Sequence, residues 1–213
     1  MKIAVLPVTP YQQNCSLLLC ERTGQMAIVD PGGDLELIEE QIHKMGGTLA
    51  LVLLTHGHLD HCGAARVLAD KFGVSLLGPH REDAFWIEQL PEMAAAMGFP
   101  AAEAFTPDRW LDEGDEVTFG AEVLRVLHTP GHTPGHVVFY QADQKVAFVG
   151  DVLFQGSIGR TDFPRGDFDT LIDSIRSKLF PLGDDVTFVP GHGPLSTIGH
   201  EKATNPFVSS AYR

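Results

Sequence analysis

Basic residues are scarce in this chain. Fifteen Lys and Arg stand against 28 Asp and Glu, a formal charge of -13, and the cations form no run. Phosphate backbones are held by clustered Lys and Arg, so a nucleic-acid partner is not expected. Cysteine is scarce too. Cys15, Cys20 and Cys62 are odd in number and form no C-x-x-C. That argues against a disulfide framework and fits a reducing cytoplasm. No apolar run reaches the roughly 18–20 residues that cross a membrane. The opening segment, interrupted at Pro7, is too short for a secretory signal. There is no G-x-S-x-G nucleophile motif, no internal repeat and no low-complexity linker. Charged residues at 20% with 22 glycines exclude a coiled coil or a disordered chain. What is present is an apolar share of 44% over 213 residues, enough for one sizeable core. A monomer with a single domain over residues 1–213 is expected.

Periodicity places strands at 2–8, 14–21 and 25–30, closed by the turn Asp30-Pro-Gly-Gly33. A helix follows over 35–45, with Leu35, Ile38, Ile42 and Met45 on one face and Gly46-Gly47 as its stop. A buried strand at 48–54 and a helix at 63–72 come next. Residues 80–106 are irregular, with a helix near 80–89 and an Ala- and Met-rich piece at 91–97. Core packing is the expected role of Phe85, Trp86, Met93, Met97 and Phe99; the alternative is an apolar wall. Strands return at 115–119, 121–127, 136–141 and 145–149, followed by a helix over 168–180 and a strand at 186–190. Two similar halves of strands then helix suggest an α/β protein, a four-layer αββα sandwich with ligands on the loops at one edge.

The strand at 48–54 runs directly into Thr55-His56-Gly57-His58-Leu59-Asp60-His61. Three imidazoles and a carboxylate within six residues are a metal-ligand set, and too many for one ion. Three later segments repeat the pattern of a strand followed by a turn that bears a ligand. The first is His128-Thr-Pro-Gly-His132-Thr-Pro-Gly-His136. Its two Pro-Gly pairs exclude a helix, and His132 between them is the residue expected to protrude. His128 and His136, on the flanking strand ends, are expected to be structural. The others are Val149-Gly-Asp151 and Pro190-Gly-His192. A lone His or Asp after a strand is usually a core, surface or turn residue. Five histidines and two aspartates in one pattern are another matter. They satisfy two metal ions, with Asp151 as the natural bridge, and two such ions lower the pKa of a shared water. Zn is the default ion, and Fe or Mn would also suit these donors. His43, His80 and His200 are not needed for the set. Cys62 is expected to be a small buried residue rather than a ligand.

These residues, in this order, resemble the metallo-β-lactamase superfamily, and within it the glyoxalase II (hydroxyacylglutathione hydrolase) branch of short, single-domain bacterial type. The likeness runs from Asn14-Cys-Ser-Leu17 to Asn205-Pro-Phe207 and includes the loop from Gly156 to Asp167. It implies the αββα fold. It also implies His56, His58 and His132 on a first metal, Asp60, His61 and His192 on a second, and Asp151 between them, with Asp60 and Asp151 in the catalytic machinery. The implied reaction is hydrolysis of a glutathione thioester, S-lactoylglutathione above all, to lactate and free thiol, as in methylglyoxal detoxification. Persulfide dioxygenases share much of the pattern with a single iron and are the alternative, with lactonases a third. Oxygen-reducing flavo-diiron relatives carry Glu where this chain has His58. A non-catalytic metal-binding relative would be expected to lack ligands, and none is missing. Longer glyoxalase II enzymes add a C-terminal helical domain that contacts glutathione, for which segment 193–213 offers no counterpart. Arg160 and Arg165 are the candidates for substrate carboxylates. Ion pairs with Asp162, Asp167 or Asp169 are the equally weighted alternative.

Overall fold

Alternation along the strands sorts the apolar residues onto two faces. In the computed structural model, which describes residues 1–209, two sheets result. The first contains β1 (Lys2–Val8), β2 (Gln13–Leu19), β3 (Gln25–Val29), β4 (Thr48–Leu53) and β5 (Ser75–Leu77), in that order. It is antiparallel through β3 and parallel from β3 to β5. Helices α1 (Leu35–Met45), α2 (Leu59–Cys62), α3 (Ala65–Phe72), α4 (Ala84–Glu88) and α5 (Leu90–Met97) belong to this half.

The second sheet is built from β6 (Glu116–Phe119), β7 (Glu122–His128), β8 (Val137–Gln141) and β9 (Val146–Gly150), with β12 (Thr187–Pro190) and β13 (Ser196–Thr197) beyond β9. Between β9 and β12 lie a small hairpin, β10 (Leu153–Phe154) and β11 (Ser157–Ile158), and helix α6 (Phe168–Ser174). Helix α7 (Ile198–Thr204) closes the described chain.

Three apolar clusters fill the gaps between four layers. Met26 and Ile28 of β3 point to the helices of the first half, against Ile38, Ile42 and Leu68. Ala27 and Val29 of the same strand point the other way, against Phe119, Phe139 and Phe148 of the second sheet. Ala147 and Val149 of β9 face Leu171, Ile175 and Ile198 on the outer helices. The αββα expectation therefore holds, and period-two patterning is its cause. Among the described residues no helix is long and apolar enough to cross a membrane. All three cysteines are free and buried.

Two details differ from the sequence reading. The helix expected over 63–72 starts earlier, as the single turn α2, and is broken at Gly63 and Ala64 before α3. Asp60 and His61 thus lie in a helical turn, which fixes both side chains relative to the extended His58 before them. The helix expected over 168–180 is α-helical only to Ser174. It then widens into a π turn, Ile175–Leu179, and tightens into a 3-10 turn. Strands β5, β10, β11 and β13 are only two or three residues long, too short for periodicity to reveal.

Candidate metal centre

Two parallel strand pairs aim their ends at one edge. β3 and β4 run side by side, so Asp30 and Thr55 emerge together. β9 and β12 do the same for Asp151 and His192. The two sheets are joined at this edge by Asn14, whose amide N–H bonds Gly191 O at 2.7 Å and whose side chain donates to Pro190 O and Gly193 O. Every ligand expected from the sequence arrives here.

Two groups form. His58 Nδ1 lies 3.1 Å from His56 Nε2 and 3.1 Å from His132 Nε2. Asp60 Oδ2 lies 3.2 Å from His192 Nε2 and 3.8 Å from His61 Nε2. Asp151 stands between them, with Oδ2 3.6 Å from His132 Nε2 and 3.7 Å from His192 Nε2, and Oδ1 3.4 Å from His61 Nε2. Donors about 2.0–2.1 Å from a tetrahedral ion are themselves roughly 3.3 Å apart, which these spacings match.

The outer nitrogens settle which inner ones carry lone pairs. His132 Nδ1–H donates to Arg160 O (2.7 Å) and His192 Nδ1–H to Tyr11 O (3.1 Å). His61 Nδ1–H donates to Asp30 Oδ2 (2.8 Å). Thr55 donates its hydroxyl hydrogen to Asp30, so its oxygen accepts from His56 Nδ1 at 3.0 Å. With each outer hydrogen held by an acceptor, the four inward nitrogens are bare. Bare nitrogens and carboxylate oxygens facing one another repel unless a cation lies among them. His61 Nε2 and Asp151 Oδ1 are indeed buried without a hydrogen-bond partner. The residues present fit two divalent ions.

Electrostatics agree. Burial first, then neighbouring imidazoles, keep His56 and His136 neutral and push His58 down to about 3. Burial also opposes charge on His61, yet Asp151 and Asp60 outweigh it and raise its pKa well above the usual range. Burial likewise opposes ionisation of Asp151, and His61, His132 and His192 outweigh that in turn. The centre demands positive charge.

Several supporting residues escape sequence inspection. Asp30 follows strand residues 25–29 much as Asp151 follows its strand, but the Pro-Gly-Gly after it suggests only a turn. It orients His61 and accepts from the Thr55 amide at 2.7 Å. Asp83, fully buried, accepts from Gly57 N (2.9 Å), Thr133 Oγ1 (2.7 Å) and Gly135 N (2.6 Å). It clamps together the two loops that supply the three-histidine set, and burial pushes its pKa up to about 6. His136 is structural as expected: its Nε2 accepts from the Asp151 amide at 3.1 Å. Cys62 packs in the core, its thiol directed at Gly57 O. His128 lies outside the centre, stacked on His80 at 4.2 Å. With Glu82 these two form another His-carboxylate cluster. Three of their four ring nitrogens have partners: His128 Nε2–H donates to Pro134 O, His80 Nδ1 accepts from the Glu82 amide, and His80 Nε2 lies 3.2 Å from Asp112 Oδ1.

A cavity of about 490 Å³ opens onto the ligands. Trp86, Met93 and Met97 line it. Trp86 and Met93 also pack in the core as expected, and the core-packing expectation is corrected for Met97, which is 41% exposed. The helical piece of 84–97 packs across the centre instead of into the core alone, and His58 sits edge-on to Trp86 at 4.5 Å. Arg160 reaches the rim, two-thirds exposed, donating two hydrogen bonds to Asp162 (2.9 and 2.8 Å). Arg165 lies over the Phe85 ring at 4.3 Å. A larger cavity, about 760 Å³ near Gly32–Leu37 and Phe99–Ala101, contains none of the ligands.

Known proteins are similar to this chain. A family model described as the metallo-beta-lactamase superfamily matches residues 8–192. Hydroxyacylglutathione hydrolase GloC of Haemophilus influenzae is 52% identical over 211 residues, 99% of each chain. Among solved structures, the BLEG-1 B3 metallo-beta-lactamase superposes with a TM-score of 0.90 at 37% identity, covering 98% of this chain and all of that one. TTHA1623, solved in a di-iron-bound form, superposes with a TM-score of 0.87 at 35% identity, covering 96% of this chain and 100% of its own.

Proposed function

The chain belongs to the metallo-β-lactamase superfamily, in its glyoxalase II branch, and is a metal-dependent hydrolase; we propose that it cleaves a glutathione thioester, S-lactoylglutathione first among them, to the hydroxy acid and free thiol. One observation carries the reading: four imidazoles turn bare nitrogens toward Asp151, whose Oδ1 is buried without a hydrogen-bond partner, in two sets that share that carboxylate. Two divalent ions bound there would supply an activated water and a polarised carbonyl. Zn is the default ion, and the di-iron form of one relative keeps Fe in view.

The protein's own part is to hold this geometry and admit the substrate. Asp60 and Asp151 supply the carboxylate donors, and Asp30, Arg160 O, Tyr11 O and Thr55 lock the rings. A thiolate is a good leaving group and needs little general-acid help. The similarity to GloC supports the thioester as substrate, and three free, buried cysteines fit a reducing cytoplasm. We take the monomer as the working form. The test is a single metal-quantified preparation. Free thiol released from S-lactoylglutathione is the expected result. Oxygen uptake with glutathione persulfide, and no thiol release, would establish the dioxygenase in its place.

At the rim, Arg160 would exchange Asp162 for a substrate carboxylate, with Arg165 on the same loop as the second candidate. An exposed, solvent-screened pair of this kind contributes little. Arg160→Ala is therefore expected to raise KM roughly two- to fivefold with kcat little changed. An unaltered KM would remove Arg160 from substrate binding.

A further inference from the structure

Each imidazole of the centre has an inner and an outer ring nitrogen. The outer N–H of His56 ends on Thr55 Oγ1, that of His61 on Asp30, that of His132 on Arg160 O and that of His192 on Tyr11 O. His58 is the exception. Its Nδ1 is the inner nitrogen, 3.1 Å from Nε2 of His56 and of His132, so the hydrogen of the neutral ring is on Nε2. That Nε2 is buried and has no acceptor among the described residues. A metal-bound imidazole whose outer N–H is unheld is free to swivel. Loss of such a partner typically weakens metal binding about 10- to 100-fold.

What surrounds His58 is aromatic. Trp86 lies 4.5 Å away at 82° and Phe163 4.8 Å away at 63°, ring centre to ring centre. The Trp86 nitrogen offers no acceptor, because its own Nε1–H is buried without a partner. Steeply inclined rings meet edge to face, and the face of a π system is a weak acceptor for an N–H. The two rings are held differently. Trp86 is buried on α4. Phe163 is half-buried on the segment from Arg160 to Asp167, a strap pinned at both ends to the His132 loop. Arg160 O accepts from His132 Nδ1 at 2.7 Å, and Asp167 N donates to Gly131 O at 2.8 Å. Between these anchors Gly166 N donates to Phe163 O at 2.8 Å, and the Arg160 guanidinium lies over the Phe163 ring at 4.4 Å. The same ring lies 5.6 Å from that of His132. The strap thus reaches two members of the three-histidine set.

We propose that Phe163 is a positioning residue for the three-histidine site: with Trp86 it takes the place of the missing acceptor and fixes the His58 ring. This rests on the two-ion reading of the centre and is independent of the choice of substrate.

The experiment loads the parent, Phe163→Ala and Phe163→Tyr with zinc and titrates each against a chromophoric chelator, with no substrate present. Phe163 belongs to none of the three apolar clusters, so both variants are expected to keep the parent's melting transition. In Phe163→Ala one of the two zinc equivalents is expected to bind about tenfold more weakly and the other as in the parent. Phe163→Tyr keeps the ring and is expected to bind both as the parent does. Imidazole N–H proton resonances of the zinc-loaded protein identify the site. The His58 Nε2–H signal is expected upfield of those from His56, His61, His132 and His192, because it meets rings where they meet oxygens. In Phe163→Ala it is expected to shift or broaden while the His61 and His192 signals stay in place. Parent-like binding of both equivalents by Phe163→Ala, equal weakening of both, or a Tyr variant as weak as the Ala variant would overturn the positioning role. Loss of the melting transition in Phe163→Ala would show that the ring holds the fold, and would overturn it as well. A parent that binds no second equivalent would instead remove the two-ion reading.

Discussion

Asp151→Ala is expected to lower thioester turnover by about a thousandfold or more while the far-ultraviolet circular dichroism stays that of the parent. The Asp151 carboxylate reaches both ligand sets, at 3.4–3.7 Å from His61, His132 and His192. Its removal takes away the only shared anion, leaving three imidazoles on one side and a carboxylate with two imidazoles on the other. Charge stabilisation by correctly held ions is worth several kcal/mol, and each 1.36 kcal/mol is a factor of ten in rate. The fold has no comparable stake. Asp151 sits beyond the last residue of β9, and the three apolar clusters do not include it. Metal content should be measured on the same sample, with a drop below two equivalents expected. Full turnover by this variant would sink the two-metal account.

Gly191→Ala is expected to cost about a hundredfold in kcat, although it adds one methyl group to a turn that touches no substrate. A Cβ there would collide with Asp151 Oδ1 and come within 2.6 Å of His61 Cε1. The backbone cannot retreat. Gly191 N donates to Gly150 O and Gly191 O accepts from Asn14 N, both at 2.7 Å, so the turn is held from both sheets. The shared carboxylate must give way, and a displacement of about 1 Å at a reacting centre costs on the order of a hundredfold. Steady-state kinetics beside a thermal melt separate the cases. A lost melting transition would mean that the fold failed first; retained kcat would show that the carboxylate can move without penalty.

The residues of the candidate centre were legible because each lies directly after a strand or between two Pro-Gly turns, so primary structure alone marks its position. The four layers were legible for a similar reason: residues such as Ala27 and Ile28 alternate between two apolar neighbourhoods. What could not be read depends on closeness that only folding creates. Asp83 is 26 residues from Gly57 and 52 from Gly135, and nothing in the Arg81-Glu-Asp83 segment announces its clamp. The acceptors for His132 and His192 are backbone carbonyls of Arg160 and Tyr11, groups that every residue possesses. The apolar wall was half visible. Trp86, Met93 and Met97 were recognisable as a cluster, but a core and a cavity have the same composition, and only the neighbouring ligands distinguish them.

The Asp83 clamp has a consequence for modularity. The three-histidine set looks like the property of two short motifs, Thr55–His61 and His128–His136, that could be copied onto another scaffold. Its spacing is maintained by a carboxylate from a third stretch of chain that supplies no ligand. A graft that carried both motifs without Asp83 would keep the donors and lose their separation. The loops would be free to spread, and the ordering now done in advance by the fold would fall to the bound ion, at the expense of its affinity. The smallest transferable unit of this centre therefore extends to the turn before α4.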